Sequence, residues 1–392
     1  MPFDPLNEEQ RELRELVRTL ARERIAPRAA EIDASHEFPW DVVELYREHG
    51  LFGLLYEERW GGTGTGALLA LVAIEEICKV CATSGLILAV QELGSLGLKL
   101  AGSEEQQRSW LPRLASGEVL CAYALTEAGS GSDSAAMRTT ARREGDEYVL
   151  DGSKRFITNA GVAGLYTVFA KTDPDAGHRG ISAFLVEADA PGFEVARLEE
   201  KMGISGSTTG ELAFDSCRVP AASLLGEEGE GFRLAMRILD RSRPGVAAQA
   251  LGIAQGATDY ALEYAKTRET MGKPIAQHQL IQAKLADMET ECEAARGLLY
   301  RFGRMLDAGV DDAELTKASA MAKLKCGDVA MACATEAVQI LGGYGYIKEY
   351  PVERFMRDAK ITQIYEGTQE IQRLVIAREM LRESRAFLLA GV

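Results

Sequence analysis

The chain has 392 residues, of which 44 are Lys or Arg and 59 are Asp or Glu, so its formal net charge is −15. Hydrophobic residues make up 46% and charged residues 26%, which is a globular composition and excludes an intrinsically disordered chain. The acidic balance argues against a nucleic-acid partner, whose interface would require a basic face. The length predicts two or three domains.

The sequence shows no segment typical of export or of membrane insertion. Residues 1–5 contain no basic stretch followed by an apolar run. The longest apolar runs, over 68–74 and 86–90, are far shorter than the ~20 residues that span a bilayer. Seven cysteines, an odd number scattered through a long chain, favour a reducing compartment. We therefore expect a cytoplasmic protein that does not associate with membranes.

Residues 1–120 predict an N-terminal α-helical domain. Asn7 precedes apolar residues at helical spacing and can cap a first helix. Two apolar helices are expected over 68–80 and 86–100. Ser103 begins an S-x-x-Q pattern, the form of a capping box, so a further helix should start there.

Around Cys121 the hydrophobic pattern changes to a period of two, which is typical of strands. The expected strands cover 121–126, 137–143, 148–150, 155–158, 165–171, 181–187, 193–198 and 211–214. Asp151-Gly152 predicts a two-residue hairpin of type I′ between two of them. Short strands at this density predict a small barrel or sandwich over 121–230, not a parallel sheet.

From Gly231 the helical spacing returns, and 231–392 is expected to form a C-terminal helical domain. The long apolar-periodic segments cover 232–268, 278–308 and 312–341. Shorter helices are expected over 351–359 and 368–385. The order of helices, strands and helices indicates the α+β class.

Several familiar motifs are matched only in part. Residues 62–67 match G-x-G-x-x-A but have no preceding strand or βαβ unit, so an interhelical glycine loop is favoured over a nicotinamide fingerprint. Cys78 and Cys81 form a single C-x-x-C pair within an apolar helix, which is typical of buried structural cysteines. The four histidines are far apart, and no metal site is expected.

Three longer segments carry candidate chemistry, and each has a structural alternative. Residues 124–133 (ALTEAGSGSD) form a loop that can bring N–H groups to phosphates, or a plain surface turn. Residues 339–346 (QILGGYGY) indicate close packing at a helix end, or only a sharp turn. Residues 363–373 (QIYEGTQEIQR) place Glu366 before a helix that Thr368 can cap, where a surface glutamate is also favourable.

Together these segments resemble the acyl-CoA dehydrogenase family, flavoenzymes that desaturate acyl-CoA thioesters. The first two segments match family signatures, the third matches the segment with the catalytic glutamate, and 268–279 (RETMGKPIAQHQ) matches another family segment. The resemblance extends from about Asn7 to Glu383, and the motifs occur in the family's order. It implies an N-terminal helical domain, a middle β-barrel, a C-terminal four-helix bundle, one FAD per subunit and a homotetramer built as a dimer of dimers.

The resemblance also implies which residues contact FAD. From the barrel side these are Tyr123, Leu125, Thr126, Gly131, Ser132, Phe156 and Thr158. Across the dimer they are Arg268, Thr270, Met271, Ile275, His278, Gln339 and Gly343, and Thr368 is also assigned to the cofactor. Relatives often carry Trp at Phe156 and mostly Phe at Met271, and both residues here remain apolar. Arg268 suits a pyrophosphate because its guanidinium matches phosphate oxygens.

Similarity assigns the catalytic base to Glu366, which would remove the α-proton while the β-hydrogen leaves as hydride to the flavin. Burial of this carboxylate should raise its pKa and make it a stronger base. Some family branches carry the base on the helix over 232–268, but this chain has Ser242 there, so Glu366 is the only candidate. Substrate contacts are expected at Leu93, Ser132, Asp240, Arg243, Tyr365, Glu366 and Gly367. Asp240 and Arg243 can alternatively form a structural ion pair.

Three functions are compatible with these residues. The first is an FAD-dependent dehydrogenase of short- to medium-chain acyl-CoA that yields trans-2-enoyl-CoA and passes electrons to electron-transfer flavoprotein. The second is a flavin-dependent acyl-CoA oxidase of the same fold, and the third is a non-catalytic CoA-binding paralogue. The chain length favours the dehydrogenase, and Glu366 argues against the paralogue. The motifs look most like bacterial short-chain and short branched-chain members, and the choice between straight and branched acyl chains stays open.

Overall fold

The computed structural model describes residues 6–382, so the predictions for 1–5 and for a helix end at 383–385 lie outside it. The N-terminal part contains α1 Glu8–Leu20, α2 Ala29–Ser35, α3 Trp40–Glu48, α4 Ala67–Cys78, α5 Ala82–Ala101 and α6 Glu104–Ala115. Asn7 and Ser103 each form the capping box that a local sequence pattern specifies. Both predicted helix starts are thereby confirmed.

The middle part is one sheet of eight strands. These are β1 Cys121–Ala124, β2 Thr140–Glu144, β3 Glu147–Thr158, β4 Leu165–Lys171, β5 Ile181–Glu187, β6 Phe193–Leu198, β7 Thr209–Pro220 and β8 Leu224–Leu225. The order is β6-β7-β3-β2-β4-β5-β8, with β1 on β4. Most pairs are antiparallel, but β1 and β2 both run parallel to β4. The sheet is therefore mixed and mostly antiparallel, which agrees with the expectation that it is not a parallel sheet.

The hairpin predicted at Asp151-Gly152 is wrong, because β3 continues through both residues. The pairing of β3 with β7 shifts register at this point, which marks a bulge. Gly152 has φ +143°, and a Cβ there would lie 2.7 Å from the Thr139 hydroxyl. Glycine thus permits a close approach between neighbouring segments. The turn that joins β2 to β3 lies instead at Gly145, with φ +64°.

The C-terminal part is helical, as predicted. It contains α7 Gly231–Thr267, α8 Gln279–Asp307, α9 Asp312–Leu341, α10 Val352–Ile361 and α11 Gln369–Arg382. A short hairpin of β9 Glu269–Thr270 and β10 Lys273–Pro274 separates α7 from α8. No helix within residues 6–382 combines the length and the apolar character needed to cross a membrane.

Small residues allow α7 to pack closely against the N-terminal helices. A Cβ at Gly252 would lie 2.4 Å from the Glu75 carbonyl oxygen, so α7 and α4 approach through their backbones. At Gly245 an added Cβ would lie 3.5 Å from the Ala89 Cβ on α5. The N-terminal and C-terminal helices share one hydrophobic core as a result.

Candidate active site

Glu366 lies between α10 and α11 in an unusual backbone conformation. Its φ is +51°, and that of Gly367 is +95°. The left-handed region is unfavourable for a residue with a Cβ, and such residues concentrate at functional sites. Glycine is favoured at 367 because of its φ of +95°, whereas an added Cβ would approach only the end of the Gln372 side chain, 2.4 Å from Nε2. The conformation directs the Glu366 side chain towards α7.

The Glu366 carboxylate contacts α7 at Ser242. The Ser242 hydroxyl donates a hydrogen bond to Glu366 Oε2 over 2.6 Å, and Arg243 Nε donates to the Glu366 carbonyl oxygen over 3.3 Å. Burial raises the pKa of Glu366, and the Ser242 hydrogen bond with the charges of Arg243 and Lys323 partly offsets this rise. The direction of the shift agrees with the expectation from sequence. A carboxylate with a raised pKa is a stronger base.

Further donors fix the backbone around Glu366. Lys323 on α9 donates from Nζ to the Gly367 carbonyl oxygen over 2.7 Å. Gln372 Nε2 donates to the carbonyl oxygens of Glu366 and Gly367 over 3.2 Å and 3.0 Å. Thr368 Oγ1 accepts from the Ile371 N–H over 3.4 Å, consistent with a cap on α11. Sequence reasoning did not find Lys323 or Gln372.

Two tyrosines lie near the carboxylate. The Tyr365 hydroxyl donates to Gln249 Oε1 on α7, and Gln249 Nε2 donates in turn to the Ala82 carbonyl oxygen over 3.2 Å. Burial and then the Glu366 carboxylate raise the pKa of Tyr123 on β1. The buried Tyr123 hydroxyl has no hydrogen-bond partner within the described chain. An orphaned buried hydroxyl at such a site indicates room for a polar group of a ligand.

Asp240 and Arg243 pair with each other on α7. Arg243 Nη1 donates to Asp240 Oδ1 over 2.6 Å, and the Thr316 hydroxyl donates to Asp240 Oδ2 over 2.5 Å. The Arg243 side chain is only 5% exposed. The ion pair given as the structural alternative is present, and Arg243 also donates to the Glu366 carbonyl oxygen. Substrate binding by these two residues stays a prediction.

A cavity of about 210 Å³ adjoins Glu366 through Ser242. Its walls are mostly apolar side chains of α4, α5, α7, α8 and residues 54–57. Gly245 and Ala89 line it where α7 crosses α5. Leu93, assigned to the acyl pocket by similarity, is buried on α5 but does not line this cavity.

The loop that follows β1 is held from within by Glu127. Its carboxylate accepts hydrogen bonds from the backbone N–H groups of Arg138 and Thr139 over 2.6 Å and 3.0 Å. It also pairs with the fully buried Lys154 over 2.7 Å. Gly131 and Ser132 lie exposed at the tip, and a Cβ at Gly131 would meet no atom within 4 Å. A loop that Glu127 anchors and whose tip is open is suited to presenting polar groups to a ligand.

The remaining barrel-side residues lie at one end of β1 and β3. The Thr126 carbonyl oxygen accepts from the Arg155 N–H over 2.8 Å, which joins this loop to β3 beside Phe156 and Thr158. Leu125 is buried beneath the loop. Phe156 has φ +60°, and its side chain is 58% exposed. An exposed aromatic ring on a strained backbone points to a binding surface.

The second predicted group gathers at the far end of α7. The Arg268 guanidinium lies 5.2 Å from the Tyr344 ring, which brings the 268–279 segment to the 339–346 segment. Thr270 and Met271 lie in the β9–β10 hairpin, and Met271 is 90% exposed with φ +53°. Gln339 and Gly343 are exposed nearby. Of Gly342, Gly343 and Gly345, only Gly345 packs closely: an added Cβ there would lie 2.5 Å from the Val338 carbonyl oxygen.

The second group also contains a buried polar atom without a hydrogen-bond partner in the described chain, Nε2 of His278. His278 is the N-cap residue of α8. Ile275 is buried just before it. Arg268 follows Arg243 by about 25 residues of helix, or ~37 Å along α7. Within one chain, the second group is therefore remote from Glu366.

Comparisons with known proteins agree with this architecture. Models of the acyl-CoA dehydrogenase N-terminal, middle and C-terminal domains match residues 7–118, 122–217 and 229–381. An acyl-CoA dehydrogenase of Bacillus subtilis is 48% identical over 377 residues, which cover 96% of this chain and 99% of the relative.

Two solved structures are also similar. Butyryl-CoA dehydrogenase of Megasphaera elsdenii is 43% identical with a TM-score of 0.94, covering 97% of this chain and all (100%) of that one. A chain in the structure of the electron transferring flavoprotein of Acidaminococcus fermentans is 44% identical with a TM-score of 0.95, covering 98% of this chain and 100% of that one. The chain therefore belongs to the acyl-CoA dehydrogenase family of FAD-dependent oxidoreductases.

Proposed function

We propose that the protein converts short- to medium-chain acyl-CoA thioesters to trans-2-enoyl-CoA and passes the electrons to electron-transfer flavoprotein. The observation that carries the proposal is the Glu366 carboxylate, which is held on a strained loop, has a raised pKa and adjoins an apolar cavity through Ser242. FAD, when bound, accepts the hydrogen that leaves the β-carbon as hydride.

Glu366 is the proposed base for the α-proton of the thioester. Burial destabilises its charged form, which increases its affinity for the proton it removes. The backbone N–H of Glu366 is the proposed donor to the thioester oxygen, where negative charge develops during proton removal. Arg243 and Gln372 keep that backbone in place through the Glu366 carbonyl oxygen.

Two buried polar atoms without a partner in the described chain, Tyr123 Oη and His278 Nε2, and the exposed Phe156 ring fit FAD at two surfaces. On the barrel side, we assign the cofactor to Tyr123, Leu125, Thr126, Gly131, Ser132, Phe156 and Thr158, with Thr368. The unpaired Tyr123 hydroxyl supports this surface. At the far end of α7, we assign it to Arg268, Thr270, Met271, Ile275, His278, Gln339 and Gly343. The unpaired His278 Nε2 supports the second surface.

Arg268 in the second surface lies ~37 Å along α7 from Arg243, which contacts Glu366, and this supports a shared cofactor site between copies of the chain. We accordingly propose the homotetramer, a dimer of dimers, with domains over 1–120, 121–230 and 231–392.

The seven cysteines are buried and unpaired, which supports a reducing compartment such as the cytoplasm. Asp240, Arg243 and Ser132 remain the proposed contacts to the CoA portion.

The electron acceptor distinguishes the dehydrogenase from the oxidase. With FAD-loaded protein and butyryl-CoA under argon, we expect the flavin absorbance to bleach. Under air, turnover should depend on added electron-transfer flavoprotein, because a thioester-filled site excludes water and oxygen. The similarity to a chain in an electron transferring flavoprotein structure supports this partner.

Each other outcome of that experiment identifies an alternative. Rapid, stoichiometric peroxide formation under air without the carrier would show an acyl-CoA oxidase. Flavin that no acyl-CoA from four to sixteen carbons bleaches would show a non-catalytic CoA-binding paralogue.

The cavity beside Ser242 is where we expect the length of the acyl chain to be selected. We expect Gly245→Val to lower kcat/KM for octanoyl-CoA relative to butyryl-CoA by at least ~10-fold, because the added methyl groups narrow the passage opposite Ala89. Steady-state kinetics over a thioester series would measure this ratio. Gly297→Val on α8 is the matched control, since a Cβ at Gly297 meets no atom within 4 Å. An equal loss for all chain lengths would contradict the placement of the acyl tail.

A further inference from the structure

Lys323 on α9 is fully buried, which is unusual for a lysine. Its Nζ lies 2.7 Å from the Gly367 carbonyl oxygen and 3.3 Å from Gln369 Oε1. An apolar side chain would fill this space without the cost of removing an amino group from water. Its contacts are the loop that carries Glu366, through Gly367, and the start of α11, through Gln369. They indicate what the buried amino group does.

We propose that Lys323 is a positioning residue for the dehydrogenation, which fixes the Gly367 carbonyl and holds a positive charge 2.7 Å from that carbonyl, one residue along the chain from Glu366. This inference rests on the proposed role of Glu366 as the base. It concerns a residue that touches neither substrate nor reacting atoms and acts through its neighbour.

The first part of the proposal concerns the backbone of the loop. Glu366 and Gly367 both have positive φ, a conformation that persists only where the surroundings enforce it. Their two carbonyl oxygens receive donors from Arg243 on α7, Lys323 on α9 and Gln372 on α11. Lys323 is the donor from α9 to these carbonyl oxygens.

The second part concerns charge. The charged groups that influence the pKa of Lys323 are Glu366 in the loop, Arg243 on α7, Asp328 on α9 and Glu370 on α11. Burial lowers the pKa of Lys323 to about 7, so the side chain is a cation throughout the acidic range in which a carboxyl titrates. Its charge lowers the pKa of Glu366 and opposes the effect of burial. Without it, Glu366 should stay protonated, and therefore inactive as a base, to a higher pH.

The test is the pH profile of kcat/KM for butyryl-CoA with the FAD-loaded Lys323→Met variant. We expect the acid limb to move up by about one pH unit, because a neighbouring opposite charge favours the ionised carboxylate by at least that much. On the acid side of the profile, kcat/KM of the variant should be about 10-fold lower than that of the unmodified protein at the same pH. The control is Lys325→Met on the same helix, whose amino group pairs with Glu291 at the surface, and its profile should match that of the unmodified protein.

Two further variants keep the proposal falsifiable if Lys323→Met does not fold. Lys323→Gln keeps a donor for the Gly367 carbonyl but removes the charge, so the limb should still move. Lys323→Arg keeps the charge, so the limb should stay in place even if kcat falls. A folded, FAD-loaded neutral variant with lower thermal stability and an unmoved limb would show a purely structural lysine and overturn the inference. A failure of the proposed function would give a different result from a failure of this inference. In that case butyryl-CoA would still reduce the flavin of the Glu366→Gln variant.

Discussion

Glu366→Gln is expected to abolish flavin reduction by acyl-CoA while the protein still binds FAD and thioester. The amide has the shape of the carboxyl group and can still accept the hydrogen bond from Ser242, but it cannot take up the α-proton. Loss of a general base costs at least ~10²–10⁴-fold in rate. Rapid mixing with butyryl-CoA under argon, followed by flavin absorbance, measures the step directly.

The matched control for this variant is Glu349→Gln, which makes the same chemical change at an exposed glutamate in the connection that precedes α10. Its flavin should be reduced at the rate of the unmodified protein. If Glu366→Gln also bleached near that rate, another group would have to remove the α-proton, and the assignment of the base would be wrong.

The parts of the fold that local rules determine were predictable from sequence. The capping boxes at Asn7 and Ser103 depend on four consecutive residues, and the structure has both. The three long helices follow from an apolar period sustained over about thirty residues. The hairpin predicted at Asp151-Gly152 was wrong because this dipeptide is compatible with both a turn and a bulge. The close approach of Thr139 to Gly152 favours the bulge, and this contact could not be read from the local sequence.

The candidate site was predictable only in part. Glu366 was found because its local context resembles a family motif, but its support comes from α7, α9 and α11. Lys323 could have been noticed from spacing, since positions 319, 323, 326 and 330 form one buried stripe of α9 in which it is the charged member. What that lysine contacts could not be inferred, because its partner Gly367 is 44 residues away in sequence. The contacts expected across a dimer depend on a second chain.

Ser242→Glu combined with Glu366→Gly is expected to restore part of the activity that Glu366→Gly loses. The Ser242 hydroxyl lies 2.6 Å from the Glu366 carboxylate, so a carboxylate that begins on α7 can reach nearly the same position. Removal of the Glu366 side chain provides the space, and glycine adopts the positive φ at 366 without strain. We expect flavin reduction at least ~10-fold faster in the double variant than in Glu366→Gly alone, as a repositioned general base should provide.

The matched control for the double variant is Ser242→Gln with Glu366→Gly, which has the same bulk at 242 but no base and should stay as slow as Glu366→Gly. Anaerobic rapid mixing with butyryl-CoA separates the three proteins once their FAD contents are equal. A folded, FAD-loaded Ser242→Glu, Glu366→Gly protein with no gain over the glutamine control would mean that the α-carbon of the substrate lies on the far side of Glu366 from α7. The acyl chain could then not pass Ser242 into the cavity between Ala89 and Gly245, and the proposed site of chain-length selection would be wrong as well.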